Sequence, residues 1–486
     1  MIQIATAVYI LLILGLFVLD SDQKVKNSKA LWLPLVWVLL VGSRPVSVWL
    51  QTGPAVSPEQ QPVQGNPRSV YLALLARPVI SQEQQYMDGS PLDRNVYLAL
   101  LITGAIVLFS RRTSVLRLLR ANGPILLFVL YCAISVSWSD YPDVALRRWI
   151  KSLGDYVMIL IVLTDRDWLG AVKRVLARAG FVLLPLSILF IKYYPALGRA
   201  YAAHWEGTQY YVGVAENKNM LGMTCLVFGL AASWRILQEL SGSRRARIFI
   251  VHGAVLGMAL WLFRMANSIT SVSCFLLASS LIAAISFLKV TRKHWVVHLL
   301  VGSMLLVCFA PLFLNLGSGV LETMGRNSTL TGRTEIWGQL LKVSVNPMVG
   351  TGFESFWLGK RLDQLWAIPG VTGINEAHNG YLEMYLNLGS VGITLVAIIM
   401  WTSYRNIIRL LNRDPEVGKL RLAYFFAAAA YCFTEAGFRM MSPVWLSFLL
   451  AAISIPSTRV RQRSLVAAGA IDTRKSEAPV FIAKSR

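Results

Sequence analysis

The chain has 486 residues, 55% of them hydrophobic and 15% charged, with a mean hydropathy of +0.54. Soluble domains carry about 25% charged residues, so a soluble enzyme or a string of soluble domains is excluded. The net charge of +22 would suit nucleic acid if it formed one patch, but it is divided among alternate loops, the pattern of membrane topology.

In chain order, apolar runs of membrane-spanning length centre on 3–19, 31–50, 95–110, 124–138, 153–164, 178–195, 220–237, 248–264, 270–288, 296–315, 389–404, 422–438 and 441–456. Arg44-Pro45 interrupts the second, and the fifth and last are short, so the expectation is an all-α integral membrane bundle of 11–13 transmembrane helices. The first run, ATAVYILLILGLFVL, lacks a basic leader and a small-residue cleavage site and is expected to be a retained span. Basic residues gather at Arg111, Arg112, Arg117 and Arg120, at Lys173, Arg174 and Arg178, at Arg244, Arg245 and Arg247, at Lys289, Arg292 and Lys293, at Arg405, Arg409, Arg413, Lys419 and Arg421, and at Arg459, Arg461 and Arg463. These loops are expected to be cytoplasmic. The loops 51–93, 139–152, 196–217 and 317–388 are then outside, and the basic tail 459–486 is a disordered cytoplasmic segment. The five cysteines fall inside apolar runs without CxxC spacing and read as small core residues.

The expected organisation is a transmembrane bundle over 1–316, a large outside loop over 317–388, further spans over 389–458, and the tail. Long loops are often functional, and this one is near neutral with helical stretches: TGRTEIWGQLLKVSV stopped by Pro347, the turn GTGFESFW, and EAHNGYLEMYLNLG running to Gly389. His378 with Glu376, Asn375 and Asn379 just before an apolar run is the polar constellation that asks for a role.

Three groups stand in order in this loop: Gly332-Arg333 with Trp337; Pro347, Gly350, Gly352 and Phe356; and His378, Asn379, Leu382, Gly389 and Gly392. Together with GVAENKNMLG (213–222), this series resembles the O-antigen ligase and polysaccharide polymerase family. WSDYPDVALRRWIK (138–151) resembles a segment of the members that act in exopolysaccharide production. The resemblance implies a metal-independent membrane glycosyltransferase with no cofactor. Its donor is an undecaprenyl-diphosphate-linked oligosaccharide and its acceptor another saccharide. The site faces the periplasm from the bacterial inner membrane, among membrane lipids and other polysaccharide assembly and export proteins. Polymerisation of repeat units into exopolysaccharide is the first expectation. Ligation onto lipid A core is the alternative inside the family, and transport of a lipid-linked sugar is the rival from another class. Several spans lack any ionisable residue for a relay, and one long outside loop does not fit an inverted repeat.

Within that resemblance His378 is the catalytic residue, a neutral imidazole taking the acceptor's proton. Arg333 is expected to bind the leaving diphosphate with its planar fork. Arg264, at the outside end of its span, and Lys218, in ENKNM, join it. ANSITSVSC (266–274) lacks the Ser-Arg pair many members have there, and Arg264 is the nearby substitute. Glu376 and Glu383 are expected to support the ring, and Arg148, with Arg147 and Lys151, to extend the cationic surface.

Overall fold

The computed structural model describes residues 1–20, 28–50, 89–201, 209–240, 245–288, 293–314, 329–343, 345–368, 371 and 373–456. The expected tail, most of loop 51–93 and the start of loop 317–388 lie outside the described residues. The main helices are α1 (Ile2–Leu19), α2 (Trp32–Val41), α3 (Pro91–Ser110), α4 (Arg112–Ala121), α5 (Gly123–Ile134), α6 (Pro142–Leu163), α7 (Trp168–Tyr193) and α8 (Lys218–Leu240). They continue as α9 (Ala246–Ala266), α10 (Ile269–Phe287), α11 (His294–Leu314), α12 (Thr329–Leu340), α13 (Gly359–Trp366), α14 (Gly380–Arg413), α15 (Pro415–Tyr431) and α16 (Pro443–Ala452). A short antiparallel pair, β1 (Arg199–Tyr201) with β2 (Gln209–Tyr211), sits between α7 and α8 with Ala200 opposite Tyr210.

The protein is an all-α polytopic membrane protein. Among the described residues seven helices, α1, α3, α7, α8, α9, α10 and α14, are long and apolar enough to cross a bilayer, and the pair Arg112–Ala121 and Gly123–Trp138, bent by 92°, makes an eighth if it is one span. Lys29–Val41, His294–Cys308 and Pro443–Ala452 are shorter apolar helices. Two expected spans take a different form. The run at 153–164 is the apolar half of α6, which begins at Pro142 and carries Arg147, Arg148 and Lys151 in its first half. The run at 422–438 is helical only to Tyr431. Beyond it the carbonyls of Cys432 and Glu435 accept the Gly380 N–H, and the chain stays irregular until Pro443 opens α16.

α15 is the central helix. The Asp414 carboxylate accepts from Val417 N at 3.3 Å, Pro415 opens the first turn and Glu416 follows, which together cap and charge the N-terminus favourably. Every residue from Val417 to Tyr431 is buried, packed against α10, α14 and α16. α8 pairs with α9 and α10 behind it. The outer helices expose their aliphatic side chains, as Leu11 of α1 and Ile102 and Ile106 of α3 do, and such faces are at home in hydrocarbon. Cys132, Cys225, Cys274 and Cys432 are buried free thiols.

The segment from α12 to the start of α14 has a core of its own, built by Leu340, Phe356, Leu362, Leu365, Ala377 and Leu386. It is locked to the bundle at a break inside α14. Gly389 lies at φ 65°, and a Cβ there would meet the Met348 backbone at 2.3 Å. The N–H groups freed by the break are taken up: Ser390 N donates to Pro347 O at 2.9 Å and Val391 N to Met348 O at 3.1 Å. On the other side Gly352 N donates to Asn387 O at 2.8 Å. The Pro347–Gly352 turn is therefore the complement of the helix break, which accounts for the order of these two motifs. Gly389→Ala combines a disfavoured backbone with a backbone collision. It is expected to destabilise the protein by about 1–3 kcal/mol or more, read as a lower melting temperature in detergent, with an unchanged value removing the break as a constraint.

Candidate active site

The site forms where the start of α14 meets the segment linking α15 to α16. Asn379 caps α14, its Oδ1 accepting from Tyr381 N and Leu382 N at 3.0 Å each. The next residue has no room for a side chain: a Cβ on Gly380 would stand 2.9 Å from Cys432 Cβ. Gly380 N donates to Cys432 O at 2.7 Å and to Glu435 O at 3.0 Å. This approach sets His378 opposite Glu435. His378 itself holds a left-handed backbone, φ 46°, a strained state for a residue with a side chain. The flanking peptide is fixed from both sides, Ala377 O accepting from Trp337 Nε1 at 2.8 Å and Ala377 N donating to Glu383 Oε2 at 2.9 Å.

The imidazole makes its contacts through one nitrogen. His378 Nδ1 lies 3.0 Å from Glu376 Oε1 and 3.2 Å from Glu435 Oε2. Its side chain is 27% exposed, whereas Glu435 is 5% exposed. Among the described residues Nε2 has no hydrogen-bond partner, so the ring is held by one edge and open at the other. Each carboxylate is balanced in turn. Glu435 Oε1 accepts from Arg333 Nη2 at 2.7 Å, and Glu435 Oε2 from Asn219 Nδ2 at 3.2 Å. Glu376 Oε2 accepts from Arg439 Nη1 at 3.1 Å. Arg333 Nη1 also donates to Thr434 O.

These neighbours set the charges. Burial works against an imidazolium, but the hydrogen bonds and charges of Glu376 and Glu435 outweigh it and raise the His378 pKa to about 10. Burial likewise opposes the Glu376 carboxylate, yet His378 and Arg439 hold its pKa down at about 2. For Arg439 burial is overcome by Glu354, Glu376 and Glu383, and its pKa is raised. The sequence reading expects a neutral imidazole; the two carboxylates beside the ring favour its protonated form. The ligand atoms of Glu376, His378 and Glu435 lie within 4.8 Å of one another, close enough for a metal ion. Both carboxylates also face arginines, Glu435 pairing with Arg333 and Glu376 with Arg439.

Of the residues singled out in the sequence, the fold brings His378, Glu376 and Arg333 together. Arg333 pairs with Glu435 rather than with its neighbour Glu335. Glu383 does not reach the ring. Buried, it accepts from Ala377 N, from Trp357 Nε1 at 2.6 Å and from Asn387 Nδ2 at 3.2 Å, and so fixes the loop beside the ring. Lys218 opens α8 and Arg264 lies in the last turn of α9, both exposed and without an ion pair among the described residues. The cluster borders both ends: Asn219, next to Lys218, touches Glu435, and Thr270, just beyond Arg264, hydrogen-bonds Thr434 at 3.0 Å. Arg148 lies apart from the ring and donates from Nη1 to Glu354 O. The sequence reading missed Glu435, Arg439 and Asn219. Two charges within or beside the apolar run YCFTEAGFRMMSP were the available signal, because a charge at such a place is costly unless it has a role.

The O-antigen ligase family matches residues 240–397, a stretch that includes Arg264, Arg333, Glu376 and His378 and stops before Glu435. Among curated proteins the chain is similar to the exopolysaccharide production protein ExoQ of Rhizobium meliloti, 27% identical over 305 residues, covering 60% of this chain. The similarity spans 66% of that relative's length, just under two thirds.

Proposed function

We propose, from the similarity of residues 240–397 to the O-antigen ligase family, that the chain forms glycosidic bonds from a lipid-diphosphate-linked oligosaccharide. The acceptor is the sugar of another lipid-linked repeat, and the product is a growing exopolysaccharide. The observation that carries this reading is the His378 ring, gripped at Nδ1 by two carboxylates and left open at Nε2. A ring so held has its tautomer and direction fixed, as a general base needs.

In the proposed step an acceptor hydroxyl attacks the anomeric carbon from the face opposite the diphosphate. Its proton passes to His378 Nε2, the bond from the anomeric carbon to the phosphate oxygen breaks, and the lipid diphosphate leaves with that electron pair. One displacement inverts the anomeric centre. The leaving group's negative charge is met by Lys218 and Arg264, which have no ion pair among the described residues, and by the remaining N–H groups of Arg333. Arg333 also braces Glu435. No metal ion takes part in this scheme. The site faces the periplasm of the inner membrane, consistent with the basic loops at the opposite ends of the helices. The similarity of the exopolysaccharide production protein favours polymerisation over ligation.

The test is purified protein in liposomes with a lipid-diphosphate-linked repeat unit and a chelator. A ladder of longer lipid-linked chains is the expected product. Transfer only when lipid A core is supplied makes the protein a ligase, and passage of the repeat unit across the bilayer without a new bond makes it a transporter. Arg333→Lys keeps the charge but loses the planar fork that reaches Thr434 O and Glu435 from two separate nitrogens. Losing one such charged hydrogen bond, worth about 1.5–3 kcal/mol, should lower turnover in the ladder assay by roughly tenfold or more; full turnover would take Arg333 out of the site.

A further inference from the structure

The deepest carboxylate near the site belongs to no part of the scheme above. Asp155 lies in the apolar half of α6 and is fully buried, 0% exposed. A carboxylate in such a place is costly unless its oxygens are hydrogen-bonded, and both are. Oδ1 accepts from Trp37 Nε1 of α2 at 2.8 Å, and Oδ2 from the backbone N–H of Met441 at 3.0 Å. The preceding Gly154 makes the first bond possible, because a Cβ there would stand 2.0 Å from the Trp37 ring. The second bond reaches the irregular segment after α15. Met441 has a left-handed backbone, φ 58°, two residues from Arg439 and six from Glu435. The other end of the segment is held at Cys432 and Glu435 by Gly380 N and at Thr434 by Arg333. Asp155 is thus the anchor of its far end.

We propose that Asp155 is a positioning residue for His378: through the Met441 N–H it fixes the segment that sets Glu435 and Arg439 around the ring. It does not touch substrate. The inference rests on the site described above, but not on whether His378 acts as a base. The charged and titratable groups around Asp155 are Lys151, one turn earlier on α6, with Tyr97 and Tyr156. Those around His378 are Glu376 and Glu435, backed by Arg439 and Arg333, with Glu354 and Glu383 facing Arg439.

The His378 ring titration reports the placement of both carboxylates and does not depend on turnover. It can be followed by NMR on full-length protein with labelled histidine, the signal assigned with His378→Gln. Asp155→Leu removes both acceptors, whereas Trp37→Phe removes only the donor on α2. Asp155→Leu is expected to lower the ring's midpoint by about one unit or more, as loss of a nearby opposite charge does, and Trp37→Phe to leave it in place. An unmoved midpoint in Asp155→Leu, or an equal shift in Trp37→Phe, overturns the proposal. Should Asp155→Leu yield no folded protein, amide exchange in the wild type decides: a protected Met441 N–H is expected, and fast exchange there defeats the anchor. A wild-type reaction rate indifferent to the ring's titration would sink the base role instead and leave this inference standing.

Discussion

His378→Ala is expected to slow chain extension by about 10²–10⁴-fold, the usual contribution of a positioned acid–base group, with little change in donor KM. The two parameters separate because Nδ1 is already spent on Glu376 and Glu435, which leaves Nε2 for the acceptor's proton, and that contact matters most in the transition state. The diphosphate is assigned to other residues, so the donor keeps its hold. The ladder assay at saturating and limiting donor gives both parameters. Loss confined to KM would recast the ring as a cationic donor-binding group and end its role as a base.

The second large effect concerns pH. A base acts only without its proton, and this ring keeps its proton up to about pH 10. Turnover should therefore climb through the neutral range, about tenfold per pH unit while the neutral fraction is small, and level off near the ring's pKa. Glu435→Gln removes one of the charges that hold the proton, so the folded-state pKa falls by about 1–3 units and the rise begins at lower pH. The same substitution loosens Arg333, which loses its carboxylate, so the plateau should also drop. Glu376→Gln should shift the rise in the same direction while leaving the Arg333 pair intact. Initial rates between pH 6 and 10 decide it. A rate that falls as pH rises means the imidazolium is the working form, and a profile identical in wild type and Glu435→Gln detaches the carboxylate from the chemistry.

The membrane class and the loop motifs were legible because each rests on local chemistry. Apolar runs mark α1, α3 and α8 to α10 directly, and the loop helix expected to run to Gly389 is the first part of α14, which breaks there. The partners of the histidine were not legible, because Glu435 and Arg439 are 57 and 61 residues further on and sit in a stretch whose aromatic side chains resemble a span. Only the approach of Gly380 to Cys432 reveals that the helix stops at Tyr431 and that the carbonyls beyond it serve α14. The raised pKa of the ring was only partly legible. It comes from Glu376, two residues before the histidine, together with Glu435, which folding brings to it. Arg333 was selected on its motif for an anion. Its first partner is a carboxylate of the protein itself, contributed by the segment the sequence hid.

The break at Gly389 also fixes a length. Nine residues, Gly380–Leu388, lie between the cap of α14 and the break, about two and a half turns. Both ends are clamped, one by Cys432 and Glu435 and the other by the Pro347 turn. Adding or removing one residue would rotate one clamp against the other by about 100° and swing the ring out of reach of Glu435. This interval acts as a gauge with a single setting.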